Sequence, residues 1–162
     1  MSALARADLR LLELVRSAAR PPVSDVVGRF SSLGEHAALW LAAGTLGALV
    51  DRPRRARWTR GVLVVGATYA LNTAVKALVR RPRPLLEGLP ALVSTPTRLS
   101  FPSAHASTSF AAARAYGRLV PAVPLYATAA AMAGSRVYLG VHYPTDVAAG
   151  ALLGLATGSA AR

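Results

Sequence analysis

The chain has 162 residues, 53% hydrophobic and 16% charged, which suits a single domain but is too apolar for an ordinary soluble one. Nineteen Lys and Arg against seven Asp and Glu give a formal net charge of +12, and the absence of cysteine excludes disulfides and thiolate metal sites. The basic residues are nearly all Arg, clustered between apolar stretches without aromatic interleaving or zinc spacing, so anionic lipid rather than nucleic acid is the expected partner.

Residues 4–19 place Leu4, Leu11, Leu12 and Val15 on one helical face, with charges elsewhere, as in a helix lying in the membrane interface. Arg6, Asp8, Arg10, Glu13, Arg16 and Arg20 leave no apolar core for a signal peptide. Pro21 and Pro22 are expected to end this helix. A short polar connection should follow, with Ser31 and Ser32 as candidate caps. Residues 1–30 therefore read as an N-terminal helix and connection, and residues 31–162 as the main membrane domain.

Five apolar stretches follow, near 33–50, 58–79, 104–118, 119–138 and 144–161. They predict an all-α polytopic bundle of about five spanning helices beside the interfacial one. The charge-free runs, such as 61–75 and 147–161, fall short of the roughly 20 residues of a span, so terminal Arg side chains must snorkel outward. Pro121 and Pro124 are placed to start the fourth stretch. Gly150, Gly154 and Gly158 repeat every fourth residue, which lets helix backbones approach closely in lipid.

Three polar blocks interrupt this pattern: KALVRRPRP at 76–84, FPSAH at 101–105 and SRVYLGVHYPTD at 135–146. Counting spans puts all three at one end of the bundle. The opposite end carries Arg52, Arg54, Arg55, Arg57 and Arg60, with Arg114, Arg118 and Arg162, and the positive-inside rule makes it cytoplasmic. The blocks would then face outward at the plasma membrane.

As K-x6-R-P, P-S-x-H and S-R-x5-H-x3-D, the set resembles the type-2 phosphatidic acid phosphatase (PAP2) superfamily in order and spacing. That resemblance implies the family's helical bundle, a lipid phosphate substrate, no cofactor or metal, and a phosphohistidine intermediate. Lys76, Arg83 and Arg136 are the candidate phosphate-binding cations, because a phosphomonoester carries about two negative charges. Ser103 and the Ala104 amide open a helix N-terminus suited to anions, although the family usually has Gly where Ala104 stands. His142 is the candidate nucleophile, oriented by Asp146, and His105 the candidate general acid and base. Arg80, Arg81 and Arg98 read as snorkelling residues or as general attraction for the substrate. Asp146 is the only acid after Glu87, so no carboxylate cluster is available for a metal.

Glu35 and His36 belong to no block, but open the first span at the same end and are expected to shape a leaving-group pocket. The 34–36 segment and the 93–105 stretch resemble the actinobacterial members that act on decaprenyl-linked 5-phosphoribose. Polyprenyl diphosphates, phosphatidylglycerophosphate and phosphatidic acid are the alternative substrates. The vanadium haloperoxidases share such a site but are soluble and much longer. A non-catalytic lipid-binding membrane protein is the alternative of another class, against which the intact blocks argue. Homo-oligomer formation is left open.

Overall fold

In the computed structural model, which describes residues 2–161, seven helices carry the chain. They are α1 (Ala3–Ser17), α2 (Pro21–Ser32), α3 (Ala38–Val50), α4 (Arg55–Val79), α5 (Ala104–Tyr116), α6 (Ala122–Tyr138) and α7 (Pro144–Gly158). Among the described residues there is no strand; an isolated bridge between Pro82 and Leu99 pins the long α4–α5 loop. Arg162 lies outside the described residues.

Two local expectations are corrected. Pro21 and Pro22 begin a second helix rather than a polar connection. Proline fits a first helical turn, where its missing N–H has no partner to lose. Ser31 and Ser32 accordingly close α2 from inside. The second correction concerns α1. Its Ser2 cap accepts from the Ala5 amide at 3.2 Å, and Asp8, Leu12 and Arg16 form its buried face. Leu4 and Leu11 stay exposed, so the apolar face read from sequence is split between protein and surroundings. Pro121 does cap the start of α6.

Helix α5 is the hub, packed against α4, α6 and α7 and buried along most of its length. Small residues permit this. A side chain at Gly154 would collide with the Ser107 carbonyl, and one at Gly158 would come within 2.8 Å of the Ala111 carbonyl. At the far end, Trp58 and Tyr116 fill the space left by Gly44, Gly47 and Gly61, and Trp40 is buried in the same cluster. Their polar atoms are paired: Trp40 Nε1 donates to Ser109 Oγ at 2.8 Å, and Tyr116 donates to the Trp40 carbonyl at 3.2 Å.

Among the described residues one helix, Arg52–Val79, is long and apolar enough to cross a bilayer by itself. The pair Pro21–Ser32 and Glu35–Val50 passes only together, across a 47° bend. Helices α5, α6 and α7 have 13, 17 and 15 residues, shorter than the roughly 20 of a full span. Large apolar side chains nevertheless point outward from α3, α4, α6 and α7, among them Leu46, Leu49, Leu63, Leu78, Val123 and Leu152. Exposed apolar surface on so many outer faces fits a lipid surround.

Candidate active site

The C-terminal ends of α4 and α6 and the N-terminal ends of α5 and α7 meet at one end of the bundle. Lys76, Ala104, His105, Arg83, Arg136 and His142 converge there on a cleft of about 130 Å³. Ser103, just before α5, is fully buried beside them.

His142 sits in the α6–α7 loop, only 2% exposed. Its Nε2 lies 3.2 Å from Arg83 Nη1. A guanidinium has only donors, so Nε2 must offer its lone pair. The ring proton therefore rests on Nδ1, which faces Asp146 Oδ2 at 3.5 Å. That distance exceeds an ordinary hydrogen bond, and Nδ1 has no closer partner. Burial pushes the His142 pKa down to about 3; Asp146 opposes the shift, and the Arg83, Lys76 and Arg136 charges add to it. The imidazole is thus neutral, with an unprotonated Nε2 whose lone pair faces Arg83.

Asp146 is completely buried in the first turn of α7. Its Oδ2 accepts from the Tyr143 amide at 3.0 Å and its Oδ1 from Arg81 Nη1 at 2.7 Å. Arg81, read from the sequence as snorkelling or as general attraction for the substrate, is instead bound between two carboxylates, the second being Asp8 at 2.8 Å. Burial works against the Arg81 cation, but the Asp8 hydrogen bond and both carboxylate charges outweigh it and hold its pKa above the ordinary value. Its guanidinium also lies 3.9 Å over the Tyr143 ring.

The cations differ in how they are held. Arg83 donates through Nε to the Thr97 carbonyl at 2.8 Å and through Nη1 to Val141 at 2.6 Å. Burial lowers its pKa to about 10, with Asp146 opposing, so it stays charged at neutral pH. Lys76 Nζ donates to the carbonyls of Leu99, Ser100 and Pro102 at 2.9–3.3 Å, so it also staples the loop that leads into α5. Arg136 donates to Ser31 Oγ at 2.6 Å, while its Nε is buried without a partner. Ser103 Oγ is likewise buried and unpartnered, and makes no capping bond to α5. Buried donors left open beside cations are what an incoming anion would satisfy.

Ala104 adopts no left-handed conformation, so replacing the usual glycine costs nothing in φ. His105 Nε2 lies 3.1 Å from the Ser31 carbonyl. A carbonyl only accepts, so Nε2 carries the proton in the neutral ring and Nδ1 remains for proton transfer. Glu35 and His36 line the same cleft, from the 3₁₀ turn between α2 and α3. His36 and Ala37 both have positive φ, 52° and 61°, and His36 Nδ1 pairs with the Tyr69 hydroxyl at 2.8 Å. Among the described residues no group of three or more His, Cys, Asp or Glu is placed to hold a metal.

Sequence reasoning missed Ser31, Asn72 and Asp8. Ser31 touches both His105 and Arg136. Asn72 donates to Ser107 Oγ at 2.8 Å and lines the cleft. Asp8 had one usable signal, its four-residue spacing to Leu12 and Arg16.

Comparison with known proteins identifies the family and the fold. The sequence pattern of the PAP2 superfamily matches residues 57–162. Decaprenylphosphoryl-5-phosphoribose phosphatase of Mycobacterium tuberculosis is 39% identical over 160 residues, 95% of this chain and 88% of that protein. Its counterpart in Mycolicibacterium smegmatis is 43% identical over 139 residues, 82% and 74% of the two chains. Aquifex aeolicus LpxE superposes with a TM-score of 0.82 at 26% identity, covering 94% of this chain and 93% of its own. The PAP2-type phosphatidylglycerolphosphate phosphatase of Bacillus subtilis superposes at 0.81 and 24% identity, over 99% and 85% of the chains, a likeness of fold.

Proposed function

Because this chain belongs to the PAP2 superfamily, we propose that it is a membrane phosphatase that removes the 5-phosphate of decaprenylphosphoryl-5-phosphoribose. The observation that carries the chemistry is the His142 ring, neutral, with its Nε2 lone pair beside Arg83 in the cleft that also holds His105 and Arg136.

The reaction runs in two displacements. Arg83, Arg136 and the Ser103 hydroxyl hold the phosphoryl oxygens, and Lys76 adds positive charge. His142 Nε2 attacks phosphorus; the ester P–O bond breaks, and His105, which takes a proton at Nδ1 from the incoming phosphate monoanion, passes that proton to the departing sugar oxygen. Asp146 stabilises the charge on the Nδ1–H side. Water, deprotonated by His105, then attacks the phosphohistidine; the P–N bond breaks and inorganic phosphate leaves. The phosphate's charge is met by side-chain cations, so activity should persist in excess EDTA.

A panel of purified lipid phosphates with EDTA present tests this reading. Decaprenylphosphoryl-5-phosphoribose should give the highest kcat/KM, and His36→Ala should cost more on it than on phosphatidic acid, because His36 and Tyr69 stand at the cleft where the sugar would lie. Preference for a polyprenyl diphosphate, phosphatidylglycerophosphate or phosphatidic acid would reassign the substrate. Lipid binding without any phosphate release would reassign the class.

The bundle core formed by α3–α7 would sit in the plasma membrane as a multi-pass unit, with residues 1–30 alongside. The site end would face outward, since Arg54, Arg57, Arg60 and Arg118 gather at the other end. A cysteine placed beside Arg98 should react with an impermeant reagent on intact cells. Labelling only after lysis would reverse the orientation.

A further inference from the structure

Helix α1 lies outside the residues matched by the family pattern, yet one of its side chains reaches the site. We propose that Asp8 is a positioning residue for His142, acting through Arg81 and Asp146. The inference rests on the reading of His142 as nucleophile.

The chain of contacts is continuous. Asp8 is 4% exposed, and its Oδ2 accepts from Arg81 Nη2 at 2.8 Å. The other arm of the same guanidinium, Nη1, donates to Asp146 Oδ1 at 2.7 Å and to Thr145 Oγ1 at 2.8 Å. Asp146 Oδ2 faces His142 Nδ1. Asp8 also accepts from the Thr145 amide at 3.0 Å and from the Thr145 hydroxyl, and so grips the first turn of α7 directly. Four residues further along α1, Leu12 is fully buried; four beyond that, Arg16 donates to the Pro90 carbonyl at 2.6 Å. The inner face of α1 thus holds both loops that supply Arg83 and His142.

The physical consequence follows from charge sharing. Arg81 is a planar fork between two carboxylates, and each fixes one arm. Without the Asp8 charge, the cation belongs to Asp146 alone. It draws electron density from the carboxylate that holds the His142 Nδ1 proton, and its freed arm allows rotation. The ring is then less firmly held with its Nε2 lone pair toward phosphorus. Arg83, Arg136 and Ser103 do not touch Asp8, so phosphate binding is spared.

The test uses full-length protein in lipid nanodiscs. Asp8→Asn should lower kcat about tenfold, the lower end of what outer partners of an oriented histidine contribute elsewhere, with KM within about twofold. In the Arg81→Gln background the same substitution should have little further effect. Nitrogen-15 labelling of the ring nitrogens gives a readout independent of turnover, tractable because the chain has only three histidines. The wild type should show His142 as the Nδ1–H tautomer, and Asp8→Asn should shift or broaden that signal. If Asp8→Asn does not fold, Asp8→Glu should show the same shift with a smaller loss of kcat. A folded Asp8→Asn with unchanged kcat and unchanged His142 signals, even at lower Tm, overturns the proposal while leaving the phosphatase reading intact. A wild type that hydrolyses no lipid phosphate, but whose His142 signal responds to Asp8→Asn, keeps the positioning role and removes the phosphatase reading.

Discussion

His142→Gln should abolish phosphate release while leaving the protein folded and inserted. Loss of a covalent nucleophile costs about 10⁴-fold or more where binding and charge stabilisation survive, and Arg83, Arg136 and Ser103 survive here. Glutamine fills much of the same buried space, which an alanine would leave as a cavity. Brief reaction of the wild type should trap a phosphate that is acid-labile and base-stable, and the variant should trap none. Turnover near the wild-type level in His142→Gln would end the covalent mechanism. The same variant carries a pH signature. His142 is held at about 3 in the folded chain, against about 6.5 when unfolded, so its contribution to stability is complete above pH 6.5. That contribution is lost as the pH falls from 6.5 toward 3, because the unfolded ring takes up a proton that the folded ring refuses. The fall in Tm over that window should therefore be shallower in His142→Gln than in the wild type.

What the sequence disclosed and what it hid divide along a physical line. Lys76, Arg83, Ser103, His105, Arg136, His142 and Asp146 were legible because they stand at fixed spacing within short segments, each at a helix end whose position the hydropathy pattern marks. Their convergence follows from the alternation of helices alone. Asp8 and Ser31 were not legible as site neighbours. Each meets its partners across more than 70 residues of chain, and no local pattern encodes such a contact. Arg81 was misread for the same reason: beside a span end an arginine ordinarily snorkels, and here two buried carboxylates, Asp8 and Asp146, turn it inward. Pro21 and Pro22 illustrate a different limit. The pair is compatible with the end of one helix and with the start of the next, and the chain uses it for both.

The Gly150, Gly154 and Gly158 ridge was legible too, and it yields the largest structural effect expected. Gly154→Val should destabilise the bundle by about 3 kcal/mol or more, the upper range for overpacking. The atoms that a Cβ would meet there are the Ser107 carbonyl and the Ala111 amide, both backbone. No rotamer change can move them, so α5 and α7 must separate. The site cannot survive that separation: α5 carries His105 and follows Ser103, while α7 carries Asp146, and the Ser103 amide donates to the Asp146 carbonyl at 3.0 Å across the crossing. Loss of activity should therefore accompany loss of stability, even at temperatures where some helix content persists. Gly134→Ala on α6 is the matched control, because a Cβ there meets nothing within 4 Å. It should be neutral or stabilising by up to about 1 kcal/mol, as alanine is in a helix interior. Thermal unfolding followed by circular dichroism in the same detergent, with phosphate release assayed in parallel, separates the two substitutions. A Gly154→Val protein with wild-type Tm would mean that α5 and α7 do not cross at the glycines, and the packing that brings Ser103 to Asp146 would have to be redrawn.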